Sequence, residues 1–163
     1  MRVSILLALL LSLASFGAAE AAGPLPFERG SWAKLRAAHA GQPTVIHFWG
    51  LTCGPCLVEL PHWAALQAER PDLKLVLVAA DPLPQDPERL AATLTRAGLD
   101  AAESWSFTDS FYERLRYEID PAWAGELPRT VMIGRDGKTQ VLPGVADLAT
   151  VKAWLDSQSN LRH

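Results

Sequence analysis

The sequence predicts an α/β domain: a mixed β-sheet covered by helices on both faces. Strand-like runs that are apolar on both faces, Val45–Trp49 and Leu73–Ala80, alternate with stretches of helical periodicity. Near the C-terminus, Asp136-Gly137 separates two short β-prone segments, the signature of an antiparallel hairpin. With 49% hydrophobic and 20% charged residues in 163, the chain has the composition of an ordinary globular domain that needs no disulfide staples. No repeat, low-complexity tract or heptad pattern interrupts it.

The elements follow in order. Arg2 precedes a mostly apolar run from Val3 to Phe16, and Ala19-Glu20-Ala21 fits the small-residue site of a signal peptidase. These fourteen residues fall short of the roughly 20 that span a bilayer, so residues 1–21 are expected to be a cleaved secretory signal, with an uncleaved anchor as the alternative. A shift in mature mass distinguishes the two. No cysteine follows the run, which excludes a lipid-modified signal. Residues 22–163 then form one domain. The signal takes one basic and one acidic residue with it and leaves the net charge at −3, which offers no electrostatic attraction for nucleic acid or an anionic membrane.

Ser31–Ala38 reads as an amphipathic helix capped by Ser31, and Thr44–Trp49 as a central strand. A helix from Cys53 to about Glu69 follows, with Pro61 as a kink inside it. After the strand Leu73–Ala80 come a helix over Asp86–Ala97, a short strand Trp105–Phe107 and a helix over Asp109–Tyr117. Thr130–Gly134 and Thr139–Leu142 form the hairpin, and Asp147 caps a last helix whose apolar face carries Leu148, Val151, Trp154 and Leu155.

The chemistry lies in Cys53-Gly54-Pro55-Cys56, which holds both cysteines of the chain and directly follows the first buried strand. A disulfide across so short a loop stabilises a fold little, so its purpose is expected to be reactive. At a helix N-terminus, free backbone N–H groups and the helix dipole favour thiolate at Cys53, the expected attacking sulfur; Cys56, one turn further in, would resolve the mixed disulfide. Pro55 suits the first turn, and Gly54 lets a partner chain approach closely. Half of a zinc site is the competing possibility, but no second cysteine pair or histidine cluster completes four ligands.

The stretch Phe48-Trp49-Gly50-Leu51-Thr52-Cys53-Gly54-Pro55-Cys56 resembles the active site of the thioredoxin superfamily. Glu59 and Pro61 narrow the resemblance to the TlpA/ResA/CcmG branch of extracytoplasmic thiol-disulfide oxidoreductases, and Leu127-Pro128-Arg129-Thr130 is similar to the superfamily's cis-proline loop. With Gly134-Arg135-Asp136-Gly137-Lys138 and Gly144, the resemblance covers about residues 30 to 157. It implies a thioredoxin fold with a TlpA-type helix-plus-strand insertion over about Asp86 to Thr108. It also implies a cis Leu127–Pro128 bond, with the Leu127 backbone free to pair with an incoming peptide, and a proton-shuttling role for Glu59 toward Cys56.

Two positions depart from the pattern. His47 stands where thioredoxins carry a buried acid, and could accept the proton of the resolving cysteine, stabilise a thiolate if charged, or be a neutral hydrogen-bonded core residue. Thr52 replaces the tryptophan that many relatives place before the first cysteine, which should open the surface around Cys53. Trp49 is expected to pack beneath the site. Trp123 is either an apolar docking contact for the partner or an ordinary core residue.

The expected function is a periplasmic disulfide reductase acting on exported proteins, such as those of cytochrome c maturation or oxidase copper-site assembly. It would be recharged by a membrane thiol donor of the DsbD or CcdA kind, and work as a monomer without metal or prosthetic group. Two alternatives remain: a thiol oxidase or isomerase, and a copper-binding metallochaperone using the cysteines with His62 or His47.

Overall fold

A computed structural model describes residues 23–82 and 85–160; the expected signal segment lies outside them. Its elements are β1 (Leu25–Phe27), α1 (Ser31–Ala38), β2 (Thr44–Trp49), α2 (Gly54–Glu69), β3 (Lys74–Ala79), α3 (Pro87–Ala97), β4 (Glu103–Phe107), α4 (Tyr112–Ile119), β5 (Arg129–Ile133), β6 (Thr139–Pro143) and α5 (Leu148–Asn160).

The six strands form one sheet in the order β1-β4-β3-β2-β5-β6. The four strands β1, β4, β3 and β2 pair in parallel, and β5 and β6 are antiparallel, completing the mixed sheet. Every residue of β2 is buried, as a central strand covered on both faces must be. Its alternation sorts the core. Val45 and Trp49 face a cluster with Cys56, Leu60 and Trp63 of α2, Leu90 and Leu94 of α3, and Val151 and Leu155 of α5. Ile46 and Phe48 face the opposite cluster with Trp32 and Leu35 of α1, Leu115 of α4, and Trp123. Helices α2, α3 and α5 therefore cover one face, and α1 and α4 the other.

The additional helix and strand expected after Asp86 are α3 and β4, and β4 takes the place between β1 and β3. Asp86 caps α3 by accepting from the N–H groups of Glu88 and Arg89, both at 3.1 Å. Helix α2 continues through Pro61 to Glu69.

One strand is added and two expectations are corrected. Strand β1 was not foreseen, because three residues are too short to show a period; pairing of Leu25–Phe27 with Trp105–Phe107 defines it. Ser31 is not the cap of α1. Gly30, at φ 81°, occupies that position without a side-chain bond, and the Ser31 hydroxyl instead accepts from the Glu28 N–H at 3.0 Å. Helix α4 starts at Tyr112 rather than Asp109, because the Asp109 carboxylate accepts from the Phe111 N–H at 2.8 Å and holds that segment in a turn.

Phe107 ties the added strand to the edge, fully buried with its ring 5.1 Å from that of Phe27. Phe107→Ala should cost about 3–5 kcal/mol in urea unfolding with the m-value unchanged; a loss below about 1 kcal/mol would show that β1 and β4 do not share the cooperative core.

Candidate active site

The site begins where β2 ends. After Trp49 the chain turns through Gly50-Leu51-Thr52, and Cys53 takes the N-cap of α2 in extended conformation, its Sγ accepting from the Cys56 N–H at 3.3 Å. Cys53 and Cys56 form a disulfide with Cα atoms 5.2 Å apart. Cys56 is fully buried and Cys53 only partly, so Cys53 is the sulfur an external reactant meets. Gly54 and Pro55 are exposed, and a Cβ at Gly54 would meet nothing within 4 Å, leaving that surface open to a second chain.

Asp81, which follows β3, was missed from the sequence. Its buried carboxylate accepts from the Thr52 hydroxyl at 2.6 Å and the Thr52 N–H at 3.3 Å, pinning the turn that presents Cys53. Gly50 makes this approach feasible, since a Cβ there would fall on the Asp81 carboxylate. The Gln85 side-chain amide donates to the Ala79 and Asp81 carbonyls at 3.2 and 2.9 Å and fixes the other side of the loop. Parallel pairing of β2 with β3 brings the two strand ends together across 29 residues of sequence, which no local pattern announces. Thr52 itself is exposed.

Beneath the disulfide lies a buried polar cluster. Glu59, nearly one turn beyond Cys56 on α2, is 4% exposed. Its Oε1 accepts from the Ala146 N–H at 2.9 Å, and its Oε2 has no partner. His47 is fully buried; its Nδ1 lies 3.0 Å from Thr130 Oγ1, and its unpartnered Nε2 is 3.9 Å from Glu59 Oε2. The Trp63 ring packs 5.1 Å from the imidazole, and its Nε1, like that of Trp49, is also without a partner.

Burial pushes the Glu59 carboxyl up, against smaller downward pulls from the Ala146 N–H, the nearby Trp63 indole and the charge of His62. Trp63 acts here by proximity, since its N–H falls short of hydrogen-bond geometry to the carboxylate. Burial lowers His47 to about 3, so the imidazole is neutral at neutral pH. Burial thus disfavours a charged His47 holding a thiolate, and the His47–Glu59 approach at 3.9 Å is a contact of a neutral ring with a carboxyl rather than an ion pair.

The Leu127–Pro128 peptide is cis. Arg129 pairs with Phe48, so Pro128 lies beside the end of β2 from which Cys53 emerges, and Leu127 packs against the cluster that contains Cys56. Trp123 does not belong to the site. It packs on Phe48 at 4.9 Å, on the sheet face away from Cys56, with the Arg129 guanidinium over its ring at 5.4 Å and its Nε1 donating to the Glu126 carbonyl at 3.0 Å. Its docking role is replaced by a packing one. Among the described residues, no group of three or more His, Cys, Asp or Glu is placed to hold a metal ion. His62 is exposed and rims an apolar groove with Pro55, Val58 and Val145.

No protein-family model and no curated protein sequence matches the chain. Solved structures do. DsbF of MTB, described in mixed oxidised and reduced forms, matches with TM-score 0.59 at 17% identity over 74% of this chain and 84% of that one. A thiol:disulfide interchange protein of the thioredoxin family from Chlorobium tepidum matches with TM-score 0.55 at 16% identity, over 68% and 75%. A secreted Mycobacterium tuberculosis disulfide oxidoreductase homologous to Escherichia coli DsbE matches with TM-score 0.51 at 19% identity, over 66% and 73%. These likenesses identify the fold as the thioredoxin fold.

The neutral buried histidine has a measurable cost in acid. Unfolded, an imidazole binds its proton below about 6.5, whereas folded His47 resists protonation down to about 3. The unfolded state thus holds the extra proton in that window, and stability present above pH 6.5 is lost as pH falls, by at most about 1.4 kcal/mol per pH unit. His47→Asn should flatten this acid limb in denaturation at stepped pH; an unaltered limb would show that His47 is not the buried neutral group.

Proposed function

We propose that the protein is an extracytoplasmic thiol-disulfide oxidoreductase that reduces disulfides in exported polypeptides through Cys53 and Cys56. The observation that carries this reading is the juxtaposition at one helix start: a disulfide with one accessible and one buried sulfur, above a buried carboxyl with a free oxygen. The cleavage signal expected at residues 1–21, and the secreted disulfide oxidoreductase among the similar structures, support the compartment.

In the reduced protein the Cys53 thiolate, stabilised by the N-terminal N–H groups of α2, attacks one sulfur of a substrate disulfide. That bond breaks, a Cys53–substrate disulfide forms, and the leaving thiolate takes up a proton. Cys56 gives its proton to Glu59 and attacks the Cys53 sulfur, which forms the internal disulfide and releases the second substrate thiolate. Two electrons pass from the dithiol to the substrate. A raised Glu59 pKa narrows the gap to a thiol and suits the carboxyl to this transfer. The Ala146 N–H on Oε1 holds the carboxyl in place, and the neutral His47 ring lies beside its free Oε2.

The disulfide must then be reduced again, and in a compartment kept oxidising this calls for a membrane thiol donor of the DsbD or CcdA kind. Gly54-Pro55 between the cysteines favours the reducing direction. The equilibrium potential of the Cys53–Cys56 pair in glutathione buffers, followed by tryptophan fluorescence, tests it: a value near or below about −270 mV is expected, and one near about −120 mV would make the protein an oxidant or isomerase.

Glu59→Gln separates role from stability. Because burial makes the folded state hold the Glu59 proton more tightly than the unfolded state, that carboxyl lowers stability as pH rises through and above 4.5. The variant should therefore gain thermal stability over wild type progressively above that pH, while disulfide reduction at pH 7 slows about 10²-fold and keeps only the pH dependence of Cys53 ionisation. Unchanged exchange kinetics would remove Glu59 from the mechanism.

A further inference from the structure

We propose that the cleft between α2 and α3 docks an acidic segment of the partner polypeptide, anchored by an apolar side chain, while the partner's cysteine is joined to Cys53. The inference rests on the dithiol chemistry above and names the partner class it selects. The cleft encloses about 560 Å³ and opens beside the redox centre, because Leu51 in the turn before Cys53 and Leu57 in the first turns of α2 both line it. A chain covalently held at Cys53 must cross neighbouring surface, and this is neighbouring surface shaped to receive it.

Its two walls differ in chemistry. The α2 wall is apolar, and Leu57 remains 38% exposed there. The α3 wall carries Arg89 and Arg96, both exposed and seven residues apart, hence on one helix face and about 10 Å apart along the axis. Among the described residues neither guanidinium takes part in an ion pair; Arg96 donates to the Thr93 hydroxyl at 3.1 Å. Glu88 and Asp86 stand near Arg89 in sequence but do not line the cleft. Two arginines without an ion pair among the described residues, on a protein of net charge −3, form a local basic rim, and guanidinium forks pair bidentately with carboxylates, the anionic groups an unmodified polypeptide carries. The apolar wall selects a polypeptide over a small anion, and the spacing fits acidic residues on either side of an apolar anchor. The groove on the other side of α2, lined by Pro55, Val58, His62 and Val145, contains no arginine, so the guanidinium pair belongs to the α3 side.

Two synthetic peptides test this. Both contain one disulfide-linked cysteine and a leucine, and they differ only in carrying glutamates or lysines at the flanking positions. The reduced protein is mixed with each, and the rate constants are read from tryptophan fluorescence. Wild type should reduce the glutamate peptide about 10-fold faster at low ionic strength, the ratio approaching 1 at about 0.5 M salt. Arg89→Glu/Arg96→Glu should bring the ratio to 1 or below. Arg29→Glu/Lys34→Glu, an equal charge change on exposed residues at and before α1 on the opposite sheet face, should keep most of it. A wild-type ratio near 1 or independent of salt, an unaltered ratio in the α3 variant, or an equal fall in the α1 variant would each overturn the docking. Failure of reduced wild type to exchange with either peptide, together with failure of dithiothreitol to reduce the oxidised protein, would instead overturn the dithiol chemistry on which it rests.

Discussion

Everything at the site depends on how one fully buried strand hands the chain to a helix. β2 is covered on both faces, so its end cannot wander, and the approach of Gly50 to the Asp81 carboxylate fixes where the turn lies. Asp81 holds Thr52 by two hydrogen bonds, and the next residue is Cys53 at the N-cap. The sulfur thus sits at the positive end of a 16-residue helix on a rigid sheet, with freedom left only on the solvent side. Packing of Cys56, Leu60 and Trp63 against Val45 and Trp49 locks the helix to the strand.

The same packing places two titratable groups in the core under the disulfide, at a cost the fold tolerates. Four buried polar atoms in this region, on His47, Trp49, Glu59 and Trp63, lack hydrogen-bond partners among the described residues. Unsatisfied buried groups destabilise, and a well-packed apolar set would be more stable there. On the mechanism proposed above, the acceptor for the proton of a buried thiol must itself be buried, and the Glu59 carboxyl meets that condition. Stability and proton affinity are here two expressions of the same desolvation.

Helix α2 also divides the surface around Cys53. On one side it meets the loop before α5 in an apolar groove; on the other it meets α3, whose arginines line a cleft. The helix and strand between β3 and α4 do more than widen the sheet, because inserting β4 between β1 and β3 is what positions α3 against α2.

What the sequence determined by itself was local or periodic. The bounds of α1 and β2, the two-sided burial of β2 and the hairpin at Asp136-Gly137 are written in spacing and turn chemistry, and so is the place of the cysteine pair at the start of a helix. Tertiary structure decided whatever depends on contacts between distant segments. β1 exists only through its pairing with β4, and Asp81 reaches Thr52 only because β2 and β3 run in parallel. Trp123 belongs to the wrong face for docking because Phe48 alternates away from Cys56. The charge of His47 is the plainest case: a histidine six residues before a cysteine has no fixed protonation state, and enclosure by Trp63, Glu59 and Thr130 makes it neutral, since desolvation is a property of the surroundings and not of the residue.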